Sequence, residues 1–84
     1  MVAIEKILEK IVSGKSDTNV PFDDLRKILL QMGFVERTKG SHHIFRKDGV
    51  EEKINLQKDS SKAKPYQVKQ ARSIILKYRL WREL

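Results

Sequence analysis

Both histidines of the chain lie side by side in the segment TKGSHHIFRKDGVEEKINL, which runs from Thr38 to Leu56. Histidine is the side chain best suited to acid–base chemistry near neutral pH. Three interpretations are open. His42 and His43 could act together in one reaction, one of them alone could be catalytic, or both could be polar strand residues without a catalytic role. The chain contains no cysteine, which excludes thiol catalysis, disulfides and cysteine-ligated metals.

The Asp48-Gly49 pair predicts a two-residue hairpin that fixes which way each histidine points. The predicted pairs are Lys47 with Val50, Phe45 with Glu52, Ile44 with Lys53, His43 with Ile54 and His42 with Asn55. Opposed residues share a face of the sheet, and neighbours along a strand lie on opposite faces. The predicted core face holds Phe45, Val50, Ile54, Leu56 and His43. The opposite face holds His42, Ile44, Arg46, Glu51, Lys53 and Asn55.

This division separates the two rings, so chelation of one metal ion by both is unfavourable, and we expect no metal site. A histidine on an open basic face could instead act as general acid or base at an RNA phosphodiester, where the 2′-hydroxyl is already held beside the phosphorus. An exposed histidine with no catalytic role is the alternative.

Cationic side chains surround the candidate histidine in sequence. Lys39, Arg46 and Lys53 could stabilise charge that develops on the phosphate oxygens, and the backbone of Gly40-Ser41 could donate N–H groups to a phosphate. The turn-rich connection from Gln57 to Pro65 adds Lys58, Lys62 and Lys64 as candidate phosphate contacts.

The chain has 84 residues and a net charge of +7, which indicates one domain that binds a polyanion. Basic and acidic residues balance in residues 1–35, so the whole excess lies in residues 36–84. The alternative is that the charges only keep a small protein soluble. Neither a membrane span nor a secretory leader is visible, so we expect a cytoplasmic protein.

Apolar periodicity predicts a helix over residues 3–13, a second helix after Pro21 that stops at Gly33, and a last helix from Pro65. Between them, residues 34–38, 42–47 and 50–56 are predicted strands. The expected fold is α+β, a three-stranded antiparallel sheet with helices packed on one face and the other face open. Val12 and Trp81 are expected on the apolar stripes of the first and last helices.

The segments KGSHHIFRKDG, residues 39–49, and KAKPYQVKQARSIILKY, residues 62–78, resemble the HicA family of type II toxin–antitoxin systems. The similarity covers residues 21–80 of a single domain spanning residues 1–84, and the helix over residues 3–13 is an extension. The resemblance implies a fold similar to the double-stranded RNA-binding domain. It also implies an mRNA interferase, an endoribonuclease that needs no metal or other cofactor, and a HicB antitoxin partner.

Within the Gly-Ser-His motif, the resemblance implies His42 as the catalytic residue, with His43 as the second candidate. Two other functions remain open. A non-catalytic double-stranded RNA-binding module would use the same basic surface to bind by shape and 2′-hydroxyl contacts. An interaction protein would dock an acidic partner on it. The Lys and Arg residues of the last helix either contact RNA or face solvent.

Overall fold

The first helix lies against the core by one narrow face. In the computed structural model, which describes residues 3–84, α1 spans Ile4–Ser13 and ends at Gly14 with φ 70°. Ile7 and Ile11 are buried. Val12 was expected on the apolar stripe of this helix, and this expectation is wrong, because the side chain is 38% exposed. Val12 follows Ile11 directly, so the helix turns its side chain away from the buried face. Residues 1 and 2 of the predicted domain lie outside the described residues.

The second helix, α2, spans Phe22–Gln31 and ends in a Schellman motif. The Phe34 N–H donates to the Leu29 carbonyl and the Gly33 N–H to the Leu30 carbonyl, each at 3.1 Å. Gly33 has φ 96°, a conformation that glycine adopts without steric cost. The predicted return of Phe34 toward Leu29 is confirmed, and Phe34 is buried.

The three strands after α2 form one antiparallel sheet in the order β1-β2-β3. Their bounds are Val35–Lys39 for β1, His42–Arg46 for β2 and Ile54–Leu56 for β3. The predicted α+β class with a three-stranded antiparallel sheet is confirmed, and the architecture is compatible with a fold like the double-stranded RNA-binding domain.

The pairing of β2 with β3 differs from the prediction by two residues. The observed pairs are His43 with Leu56, Ile44 with Asn55 and Phe45 with Ile54. Asp48-Gly49 does form a turn, in which the Val50 N–H donates to the Lys47 carbonyl at 3.1 Å. The two-residue hairpin is nevertheless wrong, because β3 begins only at Ile54. Val50 is buried in the core, which draws the chain away from β2 after the turn.

Contacts with the end of the last helix hold the intervening loop. The Tyr78 hydroxyl donates to Glu52 Oε1 at 2.5 Å, Lys77 Nζ donates to Glu52 Oε2 at 2.9 Å, and the Glu51 N–H donates to the Tyr78 oxygen at 3.3 Å. Hydrogen bonds from Tyr78 and then Lys77 lower the pKa of Glu52 to about 2. These contacts replace the strand pairing that the sequence suggested.

The two-residue shift leaves each side chain of β2 and β3 on its predicted face, because the side-chain period of a strand is two. Glu51 and Lys53, which were predicted on the open face, lie instead in the loop before β3. Phe45, Ile54 and Leu56 are fully buried on the core face. We call the opposite side the open face. It comprises Val35, Arg37 and Lys39 of β1, His42, Ile44 and Arg46 of β2, and Asn55 of β3.

The connection predicted only as a turn-rich loop contains a two-stranded ribbon. β4 spans Lys58–Asp59 and β5 spans Lys62–Ala63. The Ala63 N–H donates to the Val20 carbonyl at 2.9 Å, and the Phe22 N–H donates to the Ser61 carbonyl at 3.0 Å. The ribbon therefore packs beside the start of α2.

The last helix, α3, spans Pro65–Lys77 and begins at the predicted proline. Its buried apolar residues are Val68, Ala71, Ile74 and Ile75. Trp81 does not complete this stripe, because it is 39% exposed and the neighbouring Leu80 fills the core instead. None of the helices in residues 3–84 has the length and hydropathy needed to cross a membrane.

One basic residue of α3 has a structural partner rather than a solvent-facing position. Arg72 Nη1 donates to Asp17 Oδ1 at 2.8 Å and to the Ile11 carbonyl at 3.2 Å, and Nη2 donates to Asp17 Oδ2 at 3.2 Å. Arg72 therefore joins α1, the short 3-10 helix Asp17–Asn19 and α3. It is not part of a free cationic surface.

We predict that Tyr78→Phe lowers Tm by a few degrees, because it removes the hydroxyl that contacts Glu52 and the Glu51 N–H. Tyr66→Phe is the matched control, since Tyr66 is exposed, and its Tm should equal that of the unmodified protein. Thermal unfolding followed by circular dichroism measures both. Equal Tm values for the two variants would contradict a stabilising role for the Tyr78 hydroxyl.

Candidate active site

A tight turn places one histidine beside a lysine on the open face. Lys39 and His42 are directly opposed residues of β1 and β2, and only Gly40 and Ser41 lie between them. Gly40 has φ 59°, which favours glycine in a two-residue hairpin turn. The side chains of Lys39 and His42 therefore start from neighbouring positions on one face.

A hydrogen bond defines which nitrogen of His42 is available for chemistry. His42 Nδ1 lies 3.2 Å from Asn55 Oδ1. An amide oxygen only accepts hydrogen bonds, so Nδ1 carries the proton in the neutral ring and Nε2 carries the lone pair. Because His42 is exposed, Nε2 can take a proton from a bound substrate. Asn55 holds the ring in this orientation.

A second set of hydrogen bonds connects the turn to the residue before α3. Gln57 Nε2 donates to Ser41 Oγ at 3.1 Å, and Lys64 Nζ donates to Gln57 Oε1 at 3.3 Å. The buried Gln67 fixes the Gln57 backbone by accepting its N–H at 2.9 Å. These contacts place Lys64 near the Gly40-Ser41 turn, although more than twenty residues separate them in sequence.

His43 lies on the opposite face and is half-buried. Its Nδ1 is 2.9 Å from Glu36 Oε2. The ring packs edge-on against Phe22, with centroids 4.8 Å apart. Both nearest groups belong to the packed side of the sheet, so the two histidines have different surroundings, as strand geometry predicts.

Glu36 joins His43 to α2 through an ion pair. Both Glu36 oxygens accept from Arg26 Nε at 2.9 Å, and Oε1 also lies 2.9 Å from Arg26 Nη2. The hydrogen bond from Arg26 lowers the pKa of Glu36; burial opposes this effect and His43 adds to it. Glu36 in turn raises the pKa of Arg26. His43 thus belongs to a cluster that stabilises the fold.

The predicted phosphate contacts divide into separate regions. Lys39 and Arg46 share the open face with His42, and the exposed Lys53 lies in the loop before β3. Lys58 and Lys62 lie on the β4-β5 ribbon instead, where Lys58 Nζ is 5.3 Å from the centre of the Phe22 ring. Because Phe22 also contacts His43, Lys58 is on the side of the sheet away from His42.

Two residues of this region, Arg37 and Gln57, were not predicted from the sequence, and a third, Asn55, was predicted without its role. Arg37 alternates with Lys39 on β1, a period-two signal that could have identified it. Asn55 was on the predicted face but without a role, and no local pattern marks Gln57. In residues 3–84 no three His, Cys, Asp or Glu side chains are grouped as a metal site requires.

Comparison with protein families gives one match. Residues 22–77 match the family described as the HicA toxin of bacterial toxin–antitoxin systems. The match begins with α2 and ends with α3, so it contains the sheet, both histidines and Asn55, while α1 precedes it. Searches of curated proteins and of solved structures gave no significant match.

We predict that Glu36→Gln lowers the free energy of unfolding at pH 7 by about 1 kcal/mol, because it removes the charge that Arg26 and His43 contact. The expected loss is small because Arg26 is 43% exposed and solvent screens the pair. Since the folded-state pKa of Glu36 is lowered, this stabilisation is present above the unfolded-state value of about 4.3 and is lost as pH falls through the folded-state pKa.

Urea unfolding at pH 7 and at acid pH tests this prediction, with the exposed Glu51→Gln as the matched control. The deficit of Glu36→Gln relative to the unmodified protein should shrink at acid pH. A deficit of the same size at both pH values would assign the effect to packing rather than to charge.

Proposed function

This chain belongs to the HicA toxin family of bacterial toxin–antitoxin systems, and we propose that it is an endoribonuclease that cleaves mRNA with His42 as the general base. As a toxin of such a system it has an antitoxin partner, which we propose to be a HicB-type protein. We also propose the cytoplasm, where mRNA is translated, as its location. The observation that supports this function best is the exposed His42 with Nε2 free and Nδ1 held by Asn55.

The proposed reaction uses the nucleophile that RNA itself supplies. His42 Nε2 removes the proton of a 2′-hydroxyl, and the 2′-oxygen attacks the adjacent phosphorus. A new P–O bond forms, giving a 2′,3′-cyclic phosphate, and the bond to the 5′-oxygen breaks. The leaving 5′-oxygen takes a proton from water or from a protonated cationic side chain such as Lys39. No bound metal takes part in these steps.

The cations around His42 have a specific task in this mechanism. The attacked phosphate gains negative charge in the transition state, and Lys39 and Arg46 lie on the same face as the base. The Gly40-Ser41 turn and Lys64, which Gln57 links to it, offer further donors. Lys53, which is exposed in the loop before β3, is a further candidate contact for the phosphate. Lys58 and Lys62 would contact RNA only where it extends past the sheet to the ribbon.

His43 remains the second candidate for catalysis, because Glu36 orients its ring through Nδ1. His42 is the better candidate for a physical reason. Its ring is exposed and hydrogen-bonded to a neutral amide, whereas His43 is half-buried between Phe22 and an ion pair. A function without catalysis, binding of double-stranded RNA, would use the basic surface but would not depend on either imidazole.

We predict that the purified protein cleaves single-stranded RNA in EDTA and that His42→Ala lowers the rate by at least about 100-fold, the usual contribution of general acid–base catalysis. His42 is exposed, so the variant should keep the circular dichroism spectrum and Tm of the unmodified protein. Gel analysis of RNA fragments measures cleavage, and induced expression in bacteria should arrest growth only with His42 intact.

Three outcomes separate the alternatives. Cleavage that persists in His42→Ala and disappears in a folded His43→Ala variant would transfer the catalytic role to His43. Cleavage that stops in EDTA would contradict the metal-free mechanism. A protein that binds double-stranded RNA and cleaves nothing would favour the binding module.

We predict that Asn55→Ala lowers kcat about tenfold and changes KM little, because the ring of His42 loses the acceptor that fixes its tautomer. Asn55→Asp should retain more activity than Asn55→Ala, since a carboxylate also accepts from Nδ1. Steady-state cleavage of a short labelled RNA measures both constants. Equal kcat values for Asn55→Ala and the unmodified protein would remove Asn55 from the site.

A further inference from the structure

The open face continues beyond His42 into a depression, of whose lining residues the proposed reaction uses only Arg46. Four strand residues alternate there between arginine and aliphatic side chains: Arg37 lies opposite Ile44, and Val35 lies opposite Arg46. With Gly33 and residues 47–50 they enclose about 730 Å³. The volume is sufficient for a small ligand or for one unit of a polymer.

The two aliphatic strand residues of this depression, Val35 and Ile44, are not part of the core, unlike Val50 at its margin. Val35 is 65% exposed on the edge strand β1, and Ile44 is half-buried beside it. The core of the sheet is on the other side, where Phe45 is fully buried. Val35 and Ile44 therefore form a small apolar floor that is open to solvent on an otherwise polar face.

The charges around this floor favour an anion. Arg37, Arg46 and Lys47 line the depression, and Asp48 is its one acidic lining residue. The two guanidinium groups extend from diagonal positions about 7–8 Å apart. Guanidinium planes both bind phosphate and stack on nucleobases. A nucleotide, whose base has a flat face that stacks on apolar groups and whose sugar carries a phosphate, matches the apolar floor and the cations together.

We propose that this depression, formed by Val35, Arg37, Ile44 and Arg46, binds the nucleotide next to the one cleaved at His42. The proposal rests on the proposed function and adds a base-binding subsite to it. Ile44 is two residues from His42 on the same strand and face, a distance of about 7 Å. In the bound state the base lies on Val35 and Ile44, and Arg37 and Arg46 contact its phosphate and ring.

Binding without cleavage tests the subsite. In the His42→Ala background, the affinity for a fluorescein-labelled single-stranded RNA of ten nucleotides is measured by anisotropy, with an abasic site moved along the strand. Loss of the bound base should weaken binding roughly tenfold at one position, in line with other base-stacking contacts. Ile44→Ala and Val35→Ala should weaken binding of the intact RNA about three- to tenfold.

The decisive comparison measures binding of the abasic RNA to the Ile44→Ala variant. With Ile44→Ala the abasic penalty at that position should fall to about twofold or less, because the base has lost its floor. Val12→Ala is the matched control for Val35→Ala, since Val12 is also an exposed valine but lies on α1. It should leave RNA affinity unchanged.

The outcomes distinguish this proposal from the proposed function. An abasic penalty that is identical in the Ile44→Ala and Ile44-containing proteins would overturn the subsite, even if the unmodified protein cleaves RNA. If the abasic penalty depends on Ile44 as predicted but the protein with His42 intact does not cleave RNA, the result would support the subsite and contradict the proposed endoribonuclease activity. RNA affinity insensitive to Val35→Ala and Ile44→Ala would also overturn the subsite and leave an acidic protein as the remaining class of occupant.

Discussion

The alternation of side chains along β2 is the constraint on which the rest of the site depends. Because neighbours on a strand lie on opposite faces, His42 and His43 cannot share a task, although they are adjacent in sequence. His43 contacts the ion pair of Glu36 and Arg26, and His42 is left on the solvent side with Asn55. The tight turn at Gly40-Ser41 pairs Lys39 with His42 and so fixes which residues of β2 lie on each face. One strand therefore contributes both to the fold and to the site.

The same periodicity explains why an incorrect pairing still gave the correct faces. The Asp48-Gly49 turn suggested a register that was wrong by two residues, and an even shift returns every side chain that lies in β2 or β3 to its own face. A shift of one residue would have exposed Phe45 and buried Arg46, at a large cost in free energy. Burial of Phe45, Ile54 and Leu56 therefore determined the faces more reliably than the turn determined the pairing.

Local signals predicted most of the fold, and contacts between distant segments account for what was missed. Apolar spacing and terminal glycines predicted the helices, since these signals act within a few residues. The clamp between Arg72 and Asp17 and the bond between Gln57 and Gln67 join segments that meet only in the folded chain. The ribbon of β4 and β5 likewise depends on pairing beside Val20 and Phe22. Of the candidate site, the face of His42 and its neighbour Asn55 were predictable, but the hydrogen bond between them was seen only in the structure.

The distribution of charge follows from these contacts more than from the net value of +7. Arg26, Arg72 and Lys77 each contact a carboxylate, so they add little to the field around the sheet. On β1 the acidic residue Glu36 points toward the core, whereas Arg37 and Lys39 of the same strand point to the open face. None of the strand residues of the open face is acidic, and Asp48 is the one acidic residue that lines the depression beside them, so positive charge is in excess there. A strand with mixed charges thus gives a mainly positive surface around His42, and a surface of this sign favours a polyanion.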